Sequence, residues 1–303
     1  MSFIGLMLLT VCVYFFGNPE NQIKVDRSMF KPEEGTNINH VAMESVNGKV
    51  DLTFNGTRWM VNDKYEADRQ LIKLLFAILE KTEPKRPVST NQLDSVNYQL
   101  LKKGVDVNLF EDTHLVLSFR AGGNTQKTEA YFQRKDDGLP YVMTVPGYRL
   151  YISYLFELDE NGWRDKRIFN FNWRNFKSLN MLLSDDPSQN FEVSFQDQFF
   201  GIKGIASVDT TKLSDYLDAV SLLAAEQFIL PGFSTLYDSL LKTNPAFHLE
   251  VKDISDKTYS LDLYAPMAND PNVLGRLNGN QPAIFTRSTI LPIAKKRAFF
   301  PIK

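Results

Sequence analysis

The chain has 303 residues, 43% hydrophobic, 23% charged and 13% aromatic, a globular composition that excludes the disordered, collagenous and coiled-coil classes. Its 34 basic and 36 acidic residues leave a net charge of −2, so no global basic excess exists to hold nucleic acid. One cysteine, Cys12, excludes a disulfide framework and a multi-cysteine metal site. A chain of this length buries roughly three-quarters of its unfolded surface and folds without such staples.

Residues 1–16 carry no charged side chain, and the polar run 17–22 ends them sharply. As a helix they span about 24 Å at ~1.5 Å per residue, short of the ~30 Å hydrocarbon core. The A-x-A pattern of a cleaved signal peptide is missing. Val11 stands before Cys12 where a lipoprotein signal has a small residue. The expectation is an uncleaved anchor with Tyr14, Phe15 and Phe16 at the interface; a buried core helix is the competing reading. Residues 17–40 are polar, with two prolines, and read as a tether.

Strands are predicted at 41–46 and 49–54 around Asn47-Gly48, a strong hairpin signal, and at 57–61 after Asn55-Gly56. Asp63 with Glu66 resembles a capping box. Leu71, Leu74, Leu75, Ile78 and Leu79 then form one apolar helical face, stopped by Pro84 and Pro87. A second helix is predicted at 91–103, with Gly104 as a left-handed cap. Strands follow at 105–110, 114–119, 128–133 and 141–145, then a short aromatic helix at 148–156. In the charged, aromatic segment 161–186, residues 168–173 alternate with period two and predict a strand, with Phe169, Phe171 and Trp173 on one side. Two strands are predicted within 191–205. A helix capped by Asp209 or Thr210 places Leu213, Tyr216, Leu217, Val220 and Ala224 inward. Another runs over 234–242. Strands at 247–254 and 259–264 precede a loop to Gln281, the apolar run 283–290 and a basic tail, 295–303.

The same order of strands, helix, proline break, helix and strands occurs twice. Leu100-Leu101-Lys102 precedes Leu240-Leu241-Lys242 by 140 positions, and Pro140-Tyr141-Val142 precedes Pro282-Ala283-Ile284 by 142. The expected fold class is α+β: two similar lobes of antiparallel sheet with packed helices, after one N-terminal membrane-anchor helix. The expected boundaries are anchor 1–16, tether 17–40, first lobe 41–157, aromatic and charged joint 158–174, and second lobe with tail 175–303.

Trp59-Met60-Val61, then Tyr65-Glu66-Ala67-Asp68, Leu71, Leu74-Leu75 and Leu79 resemble the domain of unknown function 4340 family of bacteria. Trp163-Arg164-Asp165-Lys166-Arg167, followed by Phe169, is similar to that family's W-R-D segment. The resemblance covers most of residues 50–230. It implies a single-anchor or lipid-anchored envelope protein of a Gram-negative bacterium, in some cases associated with ABC-transporter components of the gliding-motility type. It carries no catalytic residues. Val11 departs from the lipidated relatives.

No dinucleotide fingerprint, Walker A run, His-Glu-x-x-His or nucleophile elbow occurs. His40, His114 and His248 lie far apart, so no metal, cofactor or catalytic set is expected. His114, near Glu111 and Asp112, reads as a solvated strand-end histidine. Asp136-Asp137 and Asp185-Asp186 read as turn acids. The aromatic face flanked by Arg164, Lys166, Arg167 and Arg174 is either core or a stacking platform. The candidate partner or ligand contacts are Trp163, Arg164, Arg167, Trp173 and Arg174. Lys295-Lys296-Arg297 with Phe299-Phe300 reads as a frayed tail, or as a contact to an anionic membrane or a partner.

The expected function is a membrane-anchored envelope protein, not an enzyme. It would hold a protein partner within a membrane assembly, with its bulk in the periplasm and no nucleic acid bound. The alternative is an envelope hydrolase or glycan-binding protein with a site near the lobe joint, which would bring His114 together with Trp163 and Trp173.

Overall fold

A computed structural model describes residues 25–135, 138–169, 171–196, 199–230 and 232–302. The anchor expected over 1–16 lies outside the described residues. Among these, no helix is long and apolar enough to cross a membrane. The chain divides into two compact units, Met1–Arg164 and Asp165–Lys303, each with its own main hydrophobic core. The division falls inside the segment 158–174 expected as a joint. That segment is not a separate element: Trp163 belongs to the first core, Ile168 and Phe169 to the second.

In the first unit, β1 (His40–Ser45), β2 (Gly48–Phe54) and β3 (Trp59–Val61) form a meander, followed by β4 (Tyr65–Glu66). Gly48 takes φ +131° in the β1–β2 turn, which is why Asn-Gly was legible as a hairpin. Helix α1 (Arg69–Lys81) leads to β5 (Glu83–Pro87), and α2 (Leu93–Lys103) to β6 (Val105–Glu111), β7 (His114–Gly123), β8 (Ala130–Arg134) and β9 (Pro140–Thr144). All pairs are antiparallel, in the order β4-β3-β2-β1-β6-β7-β8-β9-β5. Pro84 and Pro87 end α1 and then sit on edge strand β5, where a missing N–H is tolerated. Helix α1 buries Ile72, Leu75, Ile78 and Leu79 against the main core. Helix α2 buries Val96 and Leu100 in a smaller core with Val88, Tyr131 and Val142. A 3-10 turn (Ile152–Leu155) and the short α3 (Glu160–Trp163) close the unit.

The second unit repeats this plan. Its elements are β10 (Phe176–Leu183), β11 (Phe191–Gln196), β12 (Phe199–Ile202), α4 (Thr210–Ser221), β13 (Gln227–Phe228), α5 (Thr235–Leu240), β14 (Phe247–Asp253), β15 (Thr258–Leu263), β16 (Asn272–Leu277), β17 (Gln281–Thr286) and α6 (Arg287–Ile290). The order β12-β11-β10-β14-β15-β16-β17-β13 matches the first sheet strand for strand, except that among the described residues nothing corresponds to β4. The caps also match. Asp68 accepts the N–H groups of Gln70 and Leu71 at the start of α1, and Asp209 accepts that of Lys212 at the start of α4. Both units are therefore antiparallel sheets with packed helices, an α+β architecture.

Four local expectations are corrected. Asp63 is not the helix cap: Asn62 and Asp63 both take left-handed φ in the β3–β4 turn, and α1 starts six positions later at Arg69. Gly104 is extended, with φ −68°. Glycine is needed there because a Cβ would meet the Leu100 carbonyl and the Arg120 side chain. Of the strand expected over 168–173, residues 168, 169 and 171–173 lie in no strand, since local side-chain bonds compete. Asn172 N–H donates to Asn175 Oδ1 at 2.6 Å, Arg174 N–H donates to Asn172 Oδ1 at 2.8 Å, and β10 begins only at Phe176. The loop expected before Gln281 contains β16. Its Gly275 reads as a loop residue, yet a Cβ there would press on Phe285 of the neighbouring strand β17 at 2.7 Å, so the glycine makes room for that ring.

Candidate functional site

The sequence motifs at either end of the first unit meet in space. Asp68 N–H donates to the Trp163 carbonyl at 2.8 Å, and Ala67 bridges Arg164 in antiparallel fashion. The Arg164 guanidinium lies 3.5 Å from the Tyr65 ring centroid and donates to Asn161 at 3.1 Å. Trp163 is fully buried and Arg164 nearly so. Burial pulls the Arg164 pKa down, against the opposing pull of Tyr65 and Glu160. Tyr65-x-Ala67-Asp68 and Trp163-Arg164 thus form one lock that ties the last turn of the unit to the start of α1.

A family described as a domain of unknown function (DUF4340) matches residues 59–243. The chain belongs to this family. The matched span runs from β3 of the first unit to the end of α5 in the second, and it includes both halves of the lock. No curated protein and no solved structure gives a significant match.

The lock recurs in the second unit, with the chain's last residues in the role of Trp163-Arg164. Asp209 N–H donates to the Phe300 carbonyl at 2.8 Å, and Val208 bridges Pro301. Phe300 is fully buried against Phe191 and Tyr216. The C-terminal segment is therefore not a frayed tail. Lys296 pairs with Asp186 at 3.7 Å, Arg297 donates to the Gly204 carbonyl at 2.8 Å, and Ala298 N–H donates to Gln189 at 3.0 Å.

The five sequence-predicted contacts separate. Trp163 and Arg164 are inside the first unit, out of a partner's reach. Arg167 binds Asp165 through its guanidinium, and its backbone bridges Ala224. Trp173 and Arg174 are exposed on the second unit. Trp173 is 49% exposed. Its indole donates to Asp218 at 3.2 Å and packs on Phe200 at 5.6 Å. With Phe195 and Phe199, 59% and 70% exposed, it lines a groove of about 260 Å³ floored by Leu213 and Leu217 of α4. Sequence reasoning reached Trp173 but missed Phe195, Phe199 and Phe200. Their pairing across β11 and β12 (Phe195 with Phe200) was legible only as a generic hairpin.

A larger groove, about 590 Å³, lies on the first unit between the end of α2, the β1–β2 turn and the 3-10 turn. Lys102, Lys103 and Lys127 line it with Tyr151, Tyr154 and Glu157. Glu157 accepts from Tyr151 and from Lys127, the latter at 2.9 Å. Burial, reinforced by Glu157, pushes the Tyr151 hydroxyl pKa up.

The histidines do not converge. His114 is exposed at the start of β7, opposite Glu111 in the β6–β7 register, and lines neither groove. His40 bonds Asp51 at 3.2 Å. His248 bonds Asp262 at 2.7 Å, and Arg276 donates to the same carboxylate at 2.9 Å, a ladder across β14, β15 and β16. Asp106 and Arg120 hold the equivalent rungs in the first unit at 2.7 Å. Among the described residues no cluster of three metal-ligating side chains occurs.

Proposed function

We propose that the chain is a non-catalytic binding component of a cell-envelope membrane assembly. Residues 1–16 would tether it, and both units would lie on the periplasmic side. The observation that supports this reading best is the group of three solvent-facing aromatic rings, Trp173, Phe195 and Phe199, around one groove. Contiguous exposed apolar surface of this kind marks interaction sites, and aromatic anchors dominate binding energy. The partner class suggested by the family resemblance is an ABC-transporter or gliding-type complex.

The test has two parts. Cell fractionation should recover the full chain in the membrane pellet, resistant to high-salt washing. A photo-crosslinking residue at position 173 in the full chain should then give one recurrent protein adduct. Recovery of the chain in the soluble fraction, or no protein adduct at 173, overturns the reading. The same exposed rings support a second one, stacking of an envelope glycan. It would show instead as quenching of Trp173 fluorescence by soluble peptidoglycan fragments.

A further inference from the structure

The duplication shows what the free edge of the second sheet lacks. In the first unit the outer side of β3 is covered by β4: Met60 pairs with Glu66 and Val61 with Tyr65, and the Trp59 carbonyl accepts Ala67 N–H at 2.9 Å. Glu66 is itself held by Arg58 at 2.7 Å and by Arg69 at 3.3 Å, so that edge ends in charge.

Strand β12 is the counterpart of β3. Phe200 sits opposite Phe195 as Trp59 sits opposite Phe54, and Ile202 opposite Val193 as Val61 opposite Leu52. The turn after β12 has positive φ at its second residue, Gly204, as the turn after β3 has at Asp63. The chain then leaves the edge. Arg297 holds the carbonyls of Lys203 and Gly204, at 3.4 and 2.8 Å, and the following residues run to the Val208–Pro301 bridge. Among the described residues no strand pairs with the outer side of β12.

Because Lys203 N–H bonds the Glu192 carbonyl, antiparallel alternation turns the N–H and C=O of Phe200, and the N–H of Ile202, away from β11. Sheets usually protect such edges with charge, proline or a covering segment. The edge sequence Phe199-Phe200-Gly201-Ile202 has neither charge nor proline, and it borders the aromatic groove.

We propose that β12 accepts an extended segment of a partner protein as an added antiparallel strand. That segment would stand where β4 stands in the first unit and would place one apolar side chain in the groove of Trp173, Phe195 and Phe199. Main-chain bonds to Phe200 and Ile202 supply affinity, and the groove supplies selectivity. This deepens the binding reading above and rests on it.

The experiment uses the full chain in its own membrane, with benzoylphenylalanine at position 199 or, separately, at position 154 in the lysine-lined groove. The segment that the position-199 adduct identifies is synthesised and added to the full chain in detergent. Residue-resolved hydrogen exchange is then followed. Exchange at the amides of Phe200 and Ile202 should slow at least tenfold, while the inward amides of Phe199 and Gly201 change less. Phe199→Lys, at a side chain 70% exposed, should weaken peptide binding at least tenfold. The inference is overturned if position 199 links only to lipid or to a second copy of this chain. Unchanged exchange at Phe200 and Ile202, or unchanged affinity in F199K, overturns it as well. A protein adduct at 154 with none at 199 removes the added strand but leaves the binding reading standing. No protein adduct at either position removes both.

Discussion

Tyr216 carries a hydroxyl that is fully buried and, among the described residues, without a hydrogen-bond partner. Burial pushes its pKa up, far from any physiological titration. A buried, unsatisfied hydroxyl costs roughly 1–3 kcal/mol, so its removal at constant shape is favourable. Tyr216→Phe keeps the edge-to-face packing on Phe191 and Phe300, at 5.6 and 5.3 Å between centroids. It should leave stability unchanged or raise it by about 1 kcal/mol in a denaturant titration; a loss of that size would mean that the hydroxyl has a partner. The sequence marked Tyr216 as inward from its helical spacing alone. It could not reveal the ring's surroundings, which include Phe300, 84 positions away in the chain. Trp173 was reached through the period-two alternation of 168–173, and its exposure was not, because the Asn172–Asn175 turn replaces the strand that this alternation predicts.

Among the elements, the cross-strand polar ladders set how the sheets respond to acid. Burial tends to raise the Asp262 pKa, but bonds from His248 and Arg276 outweigh it and hold the carboxyl below its ordinary value. Arg120 does the same for Asp106, against partial burial. A carboxylate whose folded pKa is depressed adds stability above its unfolded pKa of ~3.9, and that stability is lost as pH falls through the folded value. Acid unfolding should therefore steepen below about pH 4. In Asp262→Asn the second unit should start less stable at neutral pH and lose less on acidification, as read by circular dichroism at a series of pH values. An unchanged slope would show that the ladder does not govern the transition. Hairpins and the end of α1 were the features easiest to read, because Asn47-Gly48, Pro84 and Pro87 act locally; the edge strand β5 that carries those two prolines was not read, since a five-residue strand with two prolines has no strand pattern. Nor was strand β16. Its Val273 faces the main core, Leu274 the small core shared with Tyr237 and Ile284, and Gly275 makes room for Phe285. A strand buried on both faces lacks the alternation that marks a half-exposed one.

Across the whole molecule, the two units solve one packing problem with different residues. At the lock, the first unit buries Trp163 in a core whose corresponding helix and strand positions hold Leu75 and Val50. The second buries Phe300 beside Tyr216 and Phe191. A larger ring with smaller neighbours stands against a smaller ring with larger ones, the volume-conserving exchange that cores tolerate best. The repeat was visible in the sequence as element order and spacing. Its exactness of topology, and the role of the C-terminal residues as the second lock, rest on long-range pairing that no local pattern encodes. Truncating either buried ring to alanine should cost about 3–5 kcal/mol. Because the two main cores share no residue, the losses should be read unit by unit. Trp163→Ala should speed hydrogen exchange across β1–β9, and Phe300→Ala across β10–β17. If Phe300→Ala left exchange in β11 and α4 unchanged, the C-terminal segment would not be part of the second core, and the equivalence of the two locks would fail with it.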